Sequence, residues 1–198
     1  MSLIIGIIER NGLSETGKKI GVVYSEIERC VINSGGIPVG ISNDKIELYF
    51  DICNGFIFQG GDFEDEKNMT IIKRLYDKDV PVLGICLGMQ EMALAFGGKL
   101  DLIDNHYING EHMISLNKDS LLRKIVGTET MMVNSRHRFA VNKCILDSVA
   151  YSENGFVEAI EDKDKKFFVG LQWHPEDMYD KTYEIRQIFD YFIKMCHD

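Results

Sequence analysis

Short runs of apolar, β-branched residues alternate along the chain with longer stretches whose apolar positions recur every three or four residues. Residues 3–8 (LIIGII) form a continuous apolar run, as expected of a strand buried on both faces. Residues 16–34 carry Val23, Ile27, Cys30 and Val31 at i, i+4, i+7 and i+8, which predicts a mostly helical stretch ended by Gly35-Gly36. Strands are predicted at 37–41, 55–58 and 80–85, and helices at 44–52, 64–77 and 87–96, the last stopped by Gly97-Gly98. This β-α-β-α-β-α-β-α order is the pattern of an open parallel sheet covered by helices on both faces. Beyond residue 99 the texture changes. Strands separated by turns are expected near 99–103, 112–116, 128–133, 146–151, 156–161 and 167–173, with a short helix near 119–126 and an amphipathic helix over 181–196. The expected fold class is therefore α/β: a flavodoxin-like, mostly parallel central sheet with a smaller antiparallel sheet from the C-terminal half. The change near 99 is expected to be a change of layer within one domain spanning 1–198.

Composition narrows the function classes. The chain has 198 residues, 45% hydrophobic and 27% charged, and 22 Lys and Arg against 31 Asp and Glu leave a net charge of −9. An acidic body of this kind repels phosphate backbones and anionic lipid, so neither nucleic acid nor a membrane surface is expected as partner. The cysteines, Cys30, Cys53, Cys86, Cys144 and Cys196, are scattered and odd in number, which fits neither a disulfide framework nor a zinc ribbon. No stretch reads as a signal peptide or a membrane span, and a cytoplasmic location is expected.

Three short motifs carry candidate chemistry. In Gly84-Ile85-Cys86-Leu87-Gly88 a buried strand runs directly into a helix, with Cys86 at the apex. Glycines on either side allow so tight a turn, and the helix N-terminus favours the thiolate form of Cys86. In LQWHPE, His174 and Glu176 stand two residues apart, so an extended backbone projects both to the same side. A carboxylate orienting an imidazole toward a thiol is the logic of covalent catalysis. The segment GFIF leads into Gln59-Gly60-Gly61-Asp62, a loop expected beside the Cys86 turn, where Gly61 and Leu87 could offer two backbone N–H groups to an oxyanion. The other histidines, His106, His112 and His197, are read as surface or hydrogen-bonded core residues. Met89, Met92, Met131 and Met132 are read as core.

GICLGMQ, the GGD loop and LQWHPE together resemble the class I glutamine amidotransferase superfamily over nearly the whole chain. Tyr24, the segment Gly35-Gly36-Ile37-Pro38-Val39 and the stretch Asn134-Ser135-Arg136-His137 are similar to its branch of γ-glutamyl hydrolases, which includes γ-glutamyl-γ-aminobutyrate hydrolase. The resemblance implies Cys86 as nucleophile, His174 as general base and acid, Glu176 as orienter, and Gly61 and Leu87 as oxyanion hole. It implies a γ-glutamyl group held near Gln90 and Asn134, Ser135, Arg136, His137 and Arg138, with no metal or organic cofactor. The chain departs from that branch after Ser135, where Arg136 and Arg138 flank His137, and after Gly61, where Asp62 follows at once.

The two arginines suggest an anionic leaving group, since guanidinium grips phosphate and carboxylate through a fork of donors. One candidate is a γ-glutamyl phosphoramidate on a nucleotide such as CDP, as in capsule-modifying pathways. The competing reading pairs both arginines with surface carboxylates. The leading expectation is thus a hydrolase of a small-molecule γ-glutamyl amide acting through a Cys86 thioester. The alternatives are a glutaminase subunit that hands ammonia to a separate synthase partner, and a non-catalytic binding protein on the same fold. The final helix either covers the sheet or joins a homodimer.

Overall fold

The computed structural model describes residues 3–103 and 110–197; His106 lies outside these residues. The parallel strands expected from the apolar runs form the centre of the sheet. They are β1 (Ile4–Ile8), β4 (Ile37–Ile41), β5 (Gly55–Phe58), β6 (Val82–Ile85) and β13 (Phe168–Leu171). They lie side by side in the order β4-β1-β5-β6-β13 with every pairing parallel. Side chains alternate between faces, as the pleat requires. Ile5, Ile7, Ile57, Leu83 and Ile85 pack on the side of α1 (Ser25–Asn33) and α5 (Tyr183–Met195). Ile8, Phe56, Phe58 and Val82 pack on the side of α2 (Glu66–Asp77) and α3 (Leu87–Ala95). Because both faces are covered, these strands read as unbroken apolar runs rather than alternating ones.

From β13 the sheet continues antiparallel through β12 (Val157–Glu161), β11 (Asp147–Ser152), β8 (Gly110–Leu116) and β9 (Thr130–Ser135). Between β8 and β9 the chain forms α4 (Leu121–Val126), on the same face as α5. The helix at the end of the chain covers the sheet: Ile185, Ile188, Phe189 and Phe192 are fully buried in the core on that face. Met89, Met92 and Met131 are core, whereas Met132 is exposed. Among the described residues no helix is long and apolar enough to cross a membrane.

Apart from the run around His174, three segments differ from the sequence expectation. The stretch expected to begin a helix at 16 instead completes a two-stranded antiparallel hairpin, β2 (Arg10–Leu13) with β3 (Lys19–Val22), and helix starts only at Ser25. The turn closes through Ser14 and Gly17, whose φ of 75° suits glycine. Strands of four residues are too short for their alternation to outweigh a helical spacing that runs on into α1. The second is β10 (Phe139–Lys143), where the pattern predicts no strand. It pairs with β7 (Lys99–Leu102) and touches β12. In the third, residues 43–49 form a 3₁₀ segment kinked at Lys45 in place of the short helix.

Candidate active site

Cys86 sits at the junction of β6 and α3 with φ 51° and ψ −104°, a conformation that non-glycine residues adopt only under strain. Strain of this kind persists where packing dictates the backbone, and here the packing is visible. A Cβ on Gly88 would stand 1.9 Å from the carbonyl oxygen of Phe58, so α3 lies against β5 through bare backbone. The turn thus delivers Cys86 to the carboxyl end of the parallel strands, where open α/β sheets place ligands.

His174 follows β13, the strand beside β6, and Pro175–Asp177 form a 3₁₀ turn in place of the extended backbone expected there. The His174 Nδ1 lies 2.7 Å from Oε1 of Glu176, and the ring lines the same cavity as Cys86. Burial disfavours the imidazolium. The interaction with Cys86 and the hydrogen bond and negative charge of Glu176 outweigh it, so the His174 pKa rises from 6.5 to about 10. The backbone of His174 is pinned by Asn134, which accepts from its N–H at 2.8 Å and donates to its carbonyl at 2.9 Å. The Asn134 amide is thereby committed to holding the imidazole-bearing segment.

Gly60 lies against the pair. A Cβ there would sit 2.9 Å from Cε1 of His174 and 3.7 Å from Cβ of Cys86. Gly61 and Cys86 border two adjoining cavities, one of about 920 Å³ and one of about 390 Å³. The larger is lined by Leu87, Gln90, Lys99, Arg138 and Phe139, among others, and the smaller by Tyr24, His174 and Glu176. Arg136 and Asp62 border both.

The structure thus brings together Cys86, His174, Glu176, Gly61, Leu87 and Gln90 around one cleft. Ser135 is buried behind it. His137 is also buried. Its Nδ1 lies 2.9 Å from the Phe139 carbonyl and its Nε2 3.8 Å from Glu158, which also meets His112 at 3.1 Å. Arg136 pairs with Asp177 at 2.5 Å, the competing reading for that arginine. Arg138 is exposed; its carbonyl accepts from the Ile103 N–H at 2.9 Å, and among the described residues no hydrogen bond or ion pair holds its guanidinium. Among those residues no group of three His, Cys, Asp or Glu is placed to hold a metal ion.

Two features escape a reading of the sequence. Gln172 donates to Sγ of Cys86 at 3.8 Å and accepts from Gln90 at 3.2 Å, which links the nucleophile to the wall of the larger cavity. Arg10 and Glu91 form an ion pair at 2.9 Å under the Gly60–Gly61 loop. The available signal is the one charged residue in α3, a carboxylate that a buried helix tolerates only when paired.

The sequence profile of the family described as Peptidase C26 matches residues 63–176. The chain belongs to the Peptidase C26 family. This family lies within the class I glutamine amidotransferase-like superfamily, and relatives agree. A glutamine amidotransferase-like protein of Rickettsia prowazekii is 28% identical over 83% of this chain and 85% of the relative. A glutamine-hydrolyzing GMP synthase subunit of Methanothrix thermoacetophila is 31% identical over 73% of this chain and 78% of the relative. In fold, the glutaminase domain of Trypanosoma brucei CTP synthase, solved with bound acivicin, superposes with a TM-score of 0.81 at 17% identity, covering 99% of this chain and 94% of the other. For a C26 member, a hydrolase acting on C–N bonds through a cysteine is the activity the family indicates.

Proposed function

We propose that the protein hydrolyses the γ-amide bond of a γ-glutamyl compound through a thioester on Cys86. One observation carries the reading: Cys86, displayed on a strained strand-to-helix turn, lines one cavity with an imidazole whose Nδ1 lies 2.7 Å from Glu176. In this reaction Sγ attacks the γ-carbonyl, and the oxyanion is received by the backbone N–H groups of Leu87 and Gly61. His174 passes a proton to the departing nitrogen as the C–N bond breaks, and an amine leaves. The same imidazole then takes a proton from water, which attacks the thioester. The second tetrahedral species collapses to glutamate and free thiol.

The size and charge of the cleft support a substrate larger than glutamine. A cavity of about 920 Å³ lies in the upper part of the range that holds drug-sized ligands, about 300–1,000 Å³. Its wall carries Asp62 and Glu64 as well as Lys99 and Arg138; the Arg138 guanidinium, which no hydrogen bond or ion pair holds among the described residues, favours an anionic leaving group, the class that includes a nucleotide-linked phosphoramidate. A second reading, a glutaminase chain supplying ammonia to a synthase, is favoured by the similarity to the glutamine-hydrolyzing part of GMP synthase and by apolar surface at the cleft. Phe63 is 84% exposed and Phe139 44% exposed beside the larger cavity.

The test offers the purified chain glutamine and a panel of neutral and phosphorylated γ-glutamyl amides while glutamate release is followed, with Cys86→Ala as control. Turnover of an amide by the chain alone, absent in Cys86→Ala, is expected. Turnover of glutamine only when a synthase is added would favour the second reading. No turnover together with no acylation of Cys86 would overturn both.

A further inference from the structure

Arg10, the first residue of β2, reaches beneath the loop that follows β5. Its Nη1 and Nη2 meet the two oxygens of Glu91 at 2.9 and 3.1 Å, a two-pronged pair with the middle of α3. The Glu91 side chain is fully buried and accepts further bonds from the Asp65 N–H at 3.0 Å and from the Asn68 amide at 3.0 and 3.1 Å. The same guanidinium donates through Nε to the carbonyls of Gln59 and Gly60 at 3.1 and 3.0 Å, and Nη2 also bonds the Gln59 carbonyl. A buried ion pair contributes little net stability compared with apolar residues of the same shape, so its value here is geometric.

That geometry bears on the oxyanion site. The peptide joining Gly60 to Gly61 is trans, so its C=O and N–H point in opposite directions. Arg10 holds the Gly60 carbonyl, which leaves the Gly61 N–H turned away from Arg10. Gly61 shares both cavities with Cys86. A peptide between two glycines has the greatest freedom to rotate, and no side chain of its own restrains it. The second candidate donor, the Leu87 N–H, sits on α3, the helix that carries Glu91.

We propose that Arg10 is a positioning residue: it locks the Gly60–Gly61 peptide with its N–H toward Cys86 and, through Glu91, fixes that peptide to the helix bearing the other oxyanion donor. This rests on the hydrolase reading above. It makes the hole preformed rather than assembled by substrate. Arg10→Lys keeps a cation but loses the fork, so it cannot hold both the carbonyls and the carboxylate. Arg10→Met with Glu91→Met replaces the whole pair and leaves no buried charge without a partner.

Wild type and both variants are compared in two assays: steady-state hydrolysis of a γ-glutamyl anilide, and alkylation of Cys86 by iodoacetamide. Alkylation is a displacement that develops no oxyanion. In both variants kcat is expected to fall about 10- to 100-fold, with KM and the alkylation rate within about threefold of wild type. Unchanged kcat in Arg10→Lys, or a parallel fall of kcat and alkylation in both variants, would overturn the positioning role. The second outcome would mean that the pair merely supports the fold around Cys86. A wild-type chain that releases no glutamate from any γ-glutamyl amide would overturn the hydrolase reading, and the proposal with it, and it is recognised because it appears before any variant is made.

Discussion

The two walls of the cleft are built differently. One wall, the Cys86 turn with the Gly60–Gly61 loop, is buried, glycine-lined and tied down by backbone contacts and a buried ion pair. The opposite wall, residues 136–139, presents Arg136, Arg138 and Phe139 to solvent. On the proposed function, the groups that would meet developing charge stand on the first wall, held by packing and backbone contacts. Arg138, the group proposed to meet the leaving group, stands on the second, where substitutions cost the fold little. Perturbing the first wall is therefore expected to change rate or folding, and perturbing the second to change substrate preference.

The largest effect is expected from Gly88→Ala. Its methyl would collide with the Phe58 carbonyl, backbone against backbone, so neither partner can rotate away. A loss of about 3 kcal/mol in denaturant unfolding is expected, with turnover gone. A variant within about 1 kcal/mol of wild type would show that α3 shifts freely against β5.

Glu176→Gln comes next. With the carboxylate in place, His174 keeps its proton through neutral pH, and turnover should fall only as pH rises through about 10, where the leaving nitrogen loses its proton donor. Removing the carboxylate removes part of what stabilises the imidazolium, so this alkaline limb should move to lower pH. A kcat lowered about 100-fold or more is expected alongside. A pH–rate profile whose alkaline limb stays in place would show that Glu176 does not set the charge of His174.

On the opposite wall, Arg138→Met is expected to raise KM about tenfold for a phosphorylated γ-glutamyl amide and to leave a neutral one within about twofold. Equal effects on both substrates would remove Arg138 from leaving-group recognition. The smallest effect is expected from Arg136→Met. Its partner Asp177 is a partly exposed carboxylate, and exposed pairs contribute about 0–1 kcal/mol, so thermal unfolding should move by no more than a few degrees.

Much of the rigid wall is legible without coordinates. The runs LIIGII, GFIF and VPVLGI announce strands covered on both sides, because a strand with one wet face would alternate. Gly84 and Gly88 around Cys86 announce a turn too tight for side chains. His174 and Glu176 do meet, but not along the extended backbone expected: Pro175–Asp177 form a 3₁₀ turn, and that turn brings Glu176 to the His174 ring. The hairpin at 10–22 is not legible, since Ile20, Val22 and Val23 fit the start of a helix as well as two short strands. The commitment of Asn134 to the backbone of His174 is not legible either, because the partners lie 40 residues apart.

Local stereochemistry acts over a few residues, so the chain alone decided the alternation of strands and helices and the apex at Cys86. Packing decided the rest. The pairing of Arg10 with Glu91 joins positions 81 residues apart, and whether Arg136 or Arg138 is bound to a carboxylate depends on which surfaces the fold brings together. Periodicity carries no information about such distances; only burial, which removes water as a competing partner, selects one contact among the many the sequence allows.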